Sequence, residues 1–187
     1  MKRHVVMPLL LTALAAVLVY SLVRQTRPQR VATTVNTQAP QYALQDVDLT
    51  RYGPNGLPRI TAHAAEIDRF AGGRTTGTDL TVTTLRGVTP WTATAPQGAL
   101  GGRNQPLQLS GGVVARGRWP DDGQALTVTT PELSIDTQTH ELYTSAPVKL
   151  SSAHRNGTAV GLRANWLNQT LSLLDQVHLS YDTPAAH

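Results

Sequence analysis

From Tyr42 onward the apolar residues of this chain recur at every second position, a period that confines most of it to strands. "LTVTT" (126–130), "LSID" (133–136), "VKLS" (148–151) and "VHLSY" (177–181) alternate apolar with polar residues. "LTVTT" occurs a second time at 80–84, and "ITAHA" (60–64) alternates in the same way. Breaks fall at "RYGPNGLP", "FAGGRT", "LGGRNQP", "WPDDGQ" and "HRNGT", where Gly, Asn, Asp and Pro supply turn chemistry. Regular breaks of this kind predict an antiparallel all-β sandwich, barrel or roll. One helical alternative exists at "RITAHAAEIDRFA" (59–71), where Ile60, Ala64, Ile67 and Phe70 share a helical face. Pro58 before it and Gly72-Gly73 after it favour a strand.

Two stretches repeat each other. "LSIDTQTHELYTSAPVKLSS", from Leu133, overlays "LRANWLNQTLSLLDQVHLSY", from Leu162, placing Leu133 on Leu162, Leu142 on Leu171, Val148 on Val177 and Leu150 on Leu179. Each copy supplies a strand, a polar turn, a second strand and a third after a bend. A fainter copy, "LQLSGGVVARG" (107–117), aligns Leu107 with Leu142 and Val113 with Val148. Units of this kind cannot close a core alone and stack on their neighbours, which leaves two strand edges to be capped or paired.

The chain has 187 residues, enough for one domain with a real core. With no cysteine it has no disulfide, no thiolate metal site and no cysteine nucleophile. Its basic character is local. Five of the 16 Lys and Arg residues (Lys2, Arg3, Arg24, Arg27, Arg30) precede residue 31, leaving 11 against 12 acids in the remainder. A near-neutral domain without a basic stripe excludes nucleic acid as the expected partner.

Residues 5–23, "VVMPLLLTALAAVLVYSLV", carry no charge and are long enough to cross a hydrocarbon core of about 30 Å as a helix. A cleaved signal peptide with Ala13-Leu14-Ala15 as its site is the alternative, but it would leave the apolar "AVLVYSLV" as a new N-terminus. The expected organisation is a cytoplasmic tail (1–4), a transmembrane helix (5–23), a polar linker (24–41), a β-domain (42–182) and a short tail (183–187).

Catalytic signals are thin. His4, His63, His140, His154, His178 and His187 show no metal spacing, and no nucleophile elbow, Walker loop or dinucleotide fingerprint occurs. Asp46 and Asp48 share a face of the first predicted strand, and Asp121-Asp122-Gly123 reads as a turn. The expectation is a protein that is not an enzyme, with no metal and no cofactor. What remains is the apolar inner face, which is either a closed core or a groove for acyl chains.

The ordered set "YALQDVDLTRYGPNGLPRITAHAAEI", "WTATAPQGAL", "LQLSGGVV", "LTVTTPELSIDTQTHELYT" and "GLRANWLNQTLSLLDQVHLSY", behind an apolar N-terminal run, resembles the LptC family from about Leu9 to Asp182. The resemblance implies a single twisted antiparallel β-jelly roll of stacked hairpins, LptA/LptC-like, preceded by one transmembrane helix. It implies a component of lipopolysaccharide transport, anchored in the inner membrane with its domain in the periplasm. Such a component accepts lipopolysaccharide from the LptB-LptF-LptG ABC transporter and passes it to LptA. A membrane-tethered protein–protein scaffold with a closed β core is the alternative.

Under the resemblance, strand parity assigns the lipid-facing interior. The early strands contribute Ile60, Ala62, Thr78, Leu80, Val82 and Val113, and the middle strands Leu126, Val128, Leu133 and Ile135. Val148, Leu150, Leu162, Val177 and Leu179 complete the set. A bulge anywhere would flip the face downstream of it. The last strands, with Leu171, Leu173, Leu174 and Tyr181, would offer an edge to LptA, and residues at and before 42–49 would meet the transporter. Gly56 and Gly157 are expected in turns. After residue 41, Arg outnumbers Lys ten to one. Guanidinium forks at the groove mouth suit lipid A phosphates, and codon bias gives the same ratio without any function.

Overall fold

The structure is a computed structural model that describes residues 39–85, 90–102 and 105–181. The expected tail at 1–4, the transmembrane helix at 5–23, nearly all of the linker and the tail at 183–187 lie outside the described residues. Among the described residues no helix is long and apolar enough to cross a membrane.

The alternating segments form nine strands: β1 (Tyr42–Tyr52), β2 (Pro58–Arg69), β3 (Thr75–Thr84), β4 (Thr92–Leu100), β5 (Leu107–Arg118), β6 (Ala125–Asp136), β7 (Glu141–Ser151), β8 (Arg155–Asn165) and β9 (Thr170–Tyr181). They make one sheet in sequence order, with every neighbour antiparallel. "RITAHAAEIDR" is strand β2, as the flanking Pro58 and Gly72-Gly73 suggested. The strands are longer than the alternation predicted. Residues 126–130 and 133–136 belong to one strand, β6, which runs through Pro131.

Every strand is interrupted near its middle. In all eight pairings the ladder skips residues or shifts register at mid-strand, and the interruptions line up across the sheet. The residues at this seam suit a broken ladder. Asp46, Asp79 and Gln176 take positive φ of 53°, 49° and 48°, and Gly111, Gly112 and Gly161 take 88°, 98° and 82°. Pro96, Pro131 and Pro147 have no N–H to donate.

The seam is where the sheet folds over. A straight strand of 11 residues would hold its ends roughly 35 Å apart. Yet Arg51, near the end of β1, donates from Nη1 to Thr137 Oγ1 at 2.5 Å, although Thr137 lies in the β6–β7 turn, on the opposite side of the meander. The two flanks of the sheet therefore face each other, and the inward side chains interlock between them. Leu109, Val113, Leu126, Val128, Ile135, Leu142, Val148 and Leu162 are fully buried there.

The seam also corrects one parity assignment. Thr78 was placed inward with Leu80 and Val82, but it is exposed on the outer face. Asp79, in the left-handed region, absorbs the alternation: Gly77 and Leu80 both line the interior, and Thr78 between them points away. Asp79→Val is expected to destabilise the domain by about 1–2 kcal/mol, because a β-branched residue fits positive φ poorly, whereas Asp79→Gly is tolerated. Urea denaturation of the two variants checks this.

A second correction concerns Gly157. It was expected in a turn, but the β7–β8 turn closes earlier, with Ser152 N–H donating to Arg155 O at 2.8 Å. Gly157 lies within β8, between Leu150 of β7 and Leu179 of β9. A Cβ there would fall 2.5 Å from Leu179 Cδ2 and 2.7 Å from His178 O, so the glycine serves close strand approach. Gly56 does sit in a turn, at φ 73°, with its N–H bonded to Gly53 O at 3.0 Å.

Candidate functional site

The interior is not uniform along the stack. Between β1 and β5 the two flanks stand apart and enclose an apolar groove of about 250 Å³. Its walls come from Val47, Leu49, Ile60, Ala62, Ala64 and Leu80 on one flank and from Leu100 and Leu107 on the other. Gly77 and Gly98 face each other in the β3–β4 ladder and form its floor. A Cβ on Gly98 would come within 2.9 Å of Leu80 Cδ2, so the missing side chain makes room for that leucine. One wall is incomplete: among the described residues β1 has no partner strand on its outer side, and Leu44 and Leu49 are exposed.

Polar groups stand at the rim. Arg51 reaches Thr137 across the opening, and His63 Nδ1 lies 3.0 Å from Asp48 Oδ1, with Asp46 Oδ1 at 3.9 Å from Nε2. Such an arrangement has the shape and polarity to take an amphiphile's apolar tail and leave its polar part at the surface.

Past β5 the interior closes. Of the residues assigned inward by parity, Val113, Leu126, Val128, Leu133, Ile135, Val148, Leu150 and Leu162 are buried in close packing, as is Val82. Only Ile60, Ala62 and Leu80 line the groove. Val177 and Leu179 lie on the last strand, 44% and 38% exposed, because among the described residues nothing pairs with or covers the far side of β9. Within the same strand Leu171 and Leu173 pack against the core, while Leu174 and Tyr181 are exposed. Leu174 lies against Gly161, where an added Cβ would meet its Cδ1 at 3.0 Å.

The chain's three tryptophans were not singled out by alternation, yet they close the packed part. Trp91 precedes β4, Trp119 follows β5 and Trp166 follows β8, and all three are buried. Trp91 lies over Gly117, where a Cβ would fall 2.4 Å from its ring, and its backbone N–H donates to Thr84 Oγ1 at 2.9 Å. Trp166 meets His140 edge to face, with ring centroids 5.7 Å apart. The readable signal is position, since each Trp adjoins a strand end instead of alternating within one.

The carboxylates considered for chemistry have structural partners. Arg155 donates from Nη1 to Asp121 and from Nη2 to Asp122, both at 2.7 Å, and its guanidinium lies over the rings of Trp119 and Tyr181. This hydrogen bond holds the Asp121 carboxyl below its ordinary range and raises Arg155. A depressed carboxylate contributes stability above its unfolded value, about 3.9, and loses it as pH falls through the folded value. Among the described residues no group of three His, Asp or Glu side chains is arranged to hold a metal ion.

Comparison with known proteins adds three findings. A family model described as "LptC: Lipopolysaccharide-assembly, LptC-related" matches residues 9–182. Among solved structures, the chain is similar to LptH, described as the LptA homologous periplasmic component of the conserved lipopolysaccharide transport device from Pseudomonas aeruginosa. The TM-score is 0.45 and the identity 8%, covering 80% of this chain and 99% of that one. No curated protein matches.

Proposed function

Because the chain belongs to the LptC-related lipopolysaccharide-assembly family, a family of transport components and not an enzyme class, we propose that it is a carrier whose β1–β5 groove receives the acyl chains of lipopolysaccharide. The observation that carries this reading is the open apolar groove of about 250 Å³ beside a fully packed core. A scaffold has no use for an unfilled apolar space, since lining residues without neighbours forfeit dispersion contacts.

In the fuller reading, residues 5–23 anchor the chain in the inner membrane with the domain in the periplasm. Lipopolysaccharide arrives from LptB-LptF-LptG at the β1 side and leaves to LptA at the β9 side. Two edge strands that have a single partner strand each among the described residues, and that expose apolar side chains, support docking at both ends: Tyr42, Leu44 and Leu49 on β1, and Leu174, Val177 and Tyr181 on β9. ATP hydrolysis by the transporter drives the movement, and this chain supplies the apolar path.

Titration of the purified full chain with fluorescent lipopolysaccharide tests the reading against the closed scaffold. Saturable binding that unlabelled lipopolysaccharide competes away is the expected result. LptA pairing with no saturable lipid binding would establish the scaffold instead.

A further inference from the structure

The open end of the groove carries two arginines that no carboxylate neutralises. Arg51 lies opposite Ile60 in the β1–β2 ladder, and Arg59 lies at the register shift beside that pair. Arg51, Arg59 and Ile60 from this flank, with Thr137, His140 and Trp166 from the other, enclose a space of about 10 Å³, room for one water molecule. Arg51, Ile60 and Thr137 also line the groove, so the two spaces adjoin. Among the described residues neither arginine has an ion-pair partner. Arg51 donates to the neutral hydroxyl of Thr137, and the buried Nε of Arg59 has no hydrogen-bond acceptor. The carboxylates of the rim and of the β6 end are engaged elsewhere. Asp46 and Asp48 flank His63, and Asp136 Oδ1 accepts from the N–H groups of Gln138 and Thr139.

We propose that Arg51 and Arg59 form a phosphate site at the mouth of the groove, which takes a headgroup phosphate of the lipid whose acyl chains lie inside. The inference rests on the carrier function proposed above and adds the polar half of its ligand. A cationic donor buried without an acceptor costs free energy, and an anion at the site removes that cost. A phosphate oxygen also outcompetes the Thr137 hydroxyl for Arg51, because both partners of the new bond are charged and the guanidinium fork matches phosphate. Arg51 therefore turns from Thr137 to the ligand, and the contact that spans the opening gives way as the lipid enters. The space between the arginines is too small for a phosphate, so the group docks over it, on the guanidinium ends. The site also orients the lipid, with its head at Arg51 and its tails toward the glycine floor at Gly77 and Gly98.

The test titrates the full chain with fluorescent lipopolysaccharide and with the same lipid after its phosphates have been removed. Arg51→Gln with Arg59→Gln is expected to weaken binding of the phosphorylated lipid at least about tenfold and to leave the dephosphorylated lipid unaffected. Arg69→Gln with Arg116→Gln removes two exposed arginines outside the site and leaves both affinities unchanged. Arg51→Lys with Arg59→Lys keeps both charges without the fork, gives an intermediate loss, and serves if the Gln pair unfolds. Folded Gln and Lys pairs that bind the phosphorylated lipid as tightly as the parent would overturn the proposal and leave the groove reading standing. Inorganic phosphate is the third probe, and it is expected to leave the lipid bound. Phosphate binding that is lost in the Gln pair while lipid affinity stays unchanged would assign the arginines to free phosphate and overturn the headgroup assignment. No saturable binding of either lipid to any form would overturn the carrier reading itself.

Discussion

Leu150→Ala is expected to destabilise the domain by about 3 kcal/mol, whereas Leu179→Ala, its counterpart 29 residues later, costs less than about 1 kcal/mol. Both leucines occupy the same place in the repeated unit, and both point to the inner face, one on each side of Gly157. They differ in what covers them. Leu150 is 2% exposed, enclosed by β6 and β8 and by the facing flank, so truncation leaves a cavity that its neighbours cannot fill. Leu179 lies on β9, which has β8 as its one partner strand among the described residues, and water replaces the lost methyl groups. Urea denaturation followed by tryptophan emission reads both variants, with the m-value unchanged. Equal losses would mean that β9 is enclosed like β7 and that the edge is not free.

Ala62→Trp is expected to weaken lipopolysaccharide binding at least about tenfold, equivalent to 1.4 kcal/mol, while changing stability by less than about 1 kcal/mol. Ala62 lines the open groove, so an indole there enters existing space instead of forcing a packed core apart. Thr50→Trp, on the exposed outer face of β1, adds the same ring without entering the groove and leaves binding unchanged. Fluorescent lipopolysaccharide titration of the two variants separates groove filling from a general effect of surface tryptophan.

Alternation made the all-β class readable, and the 29-residue echo marked real equivalence: Leu133 and Leu162 are both 2% exposed at matched positions of β6 and β8. The seam was only partly readable. Gly111-Gly112 announces a break, but Asp46, Asp79 and Gln176 adopt positive φ without glycine, which no local composition reveals. That is why Thr78 was assigned to the wrong face. "HRNGT" carries an Asn-Gly turn signal, yet the turn forms before it, and Gly157 is retained for strand approach instead.

Groove and core look alike in sequence, because alternation states which side chains share a face and not what lies opposite. Ala62 and Val128 read the same way, yet one lines open space and the other is 1% exposed. The difference arises from how far the folded flanks approach, which is set by residues outside the alternation. The tryptophans at strand ends close one part, while the glycine pair at 77 and 98 leaves the other open.

The most direct test of the carrier account is photo-crosslinking in membranes that contain the active ABC transporter, with the reactive group at Leu49, Ala62 or Thr50 in turn. Adducts with lipopolysaccharide at Leu49 and Ala62, dependent on ATP and absent at Thr50, are the predicted result. Folded, membrane-attached protein that gives no lipopolysaccharide adduct at either groove position would contradict it.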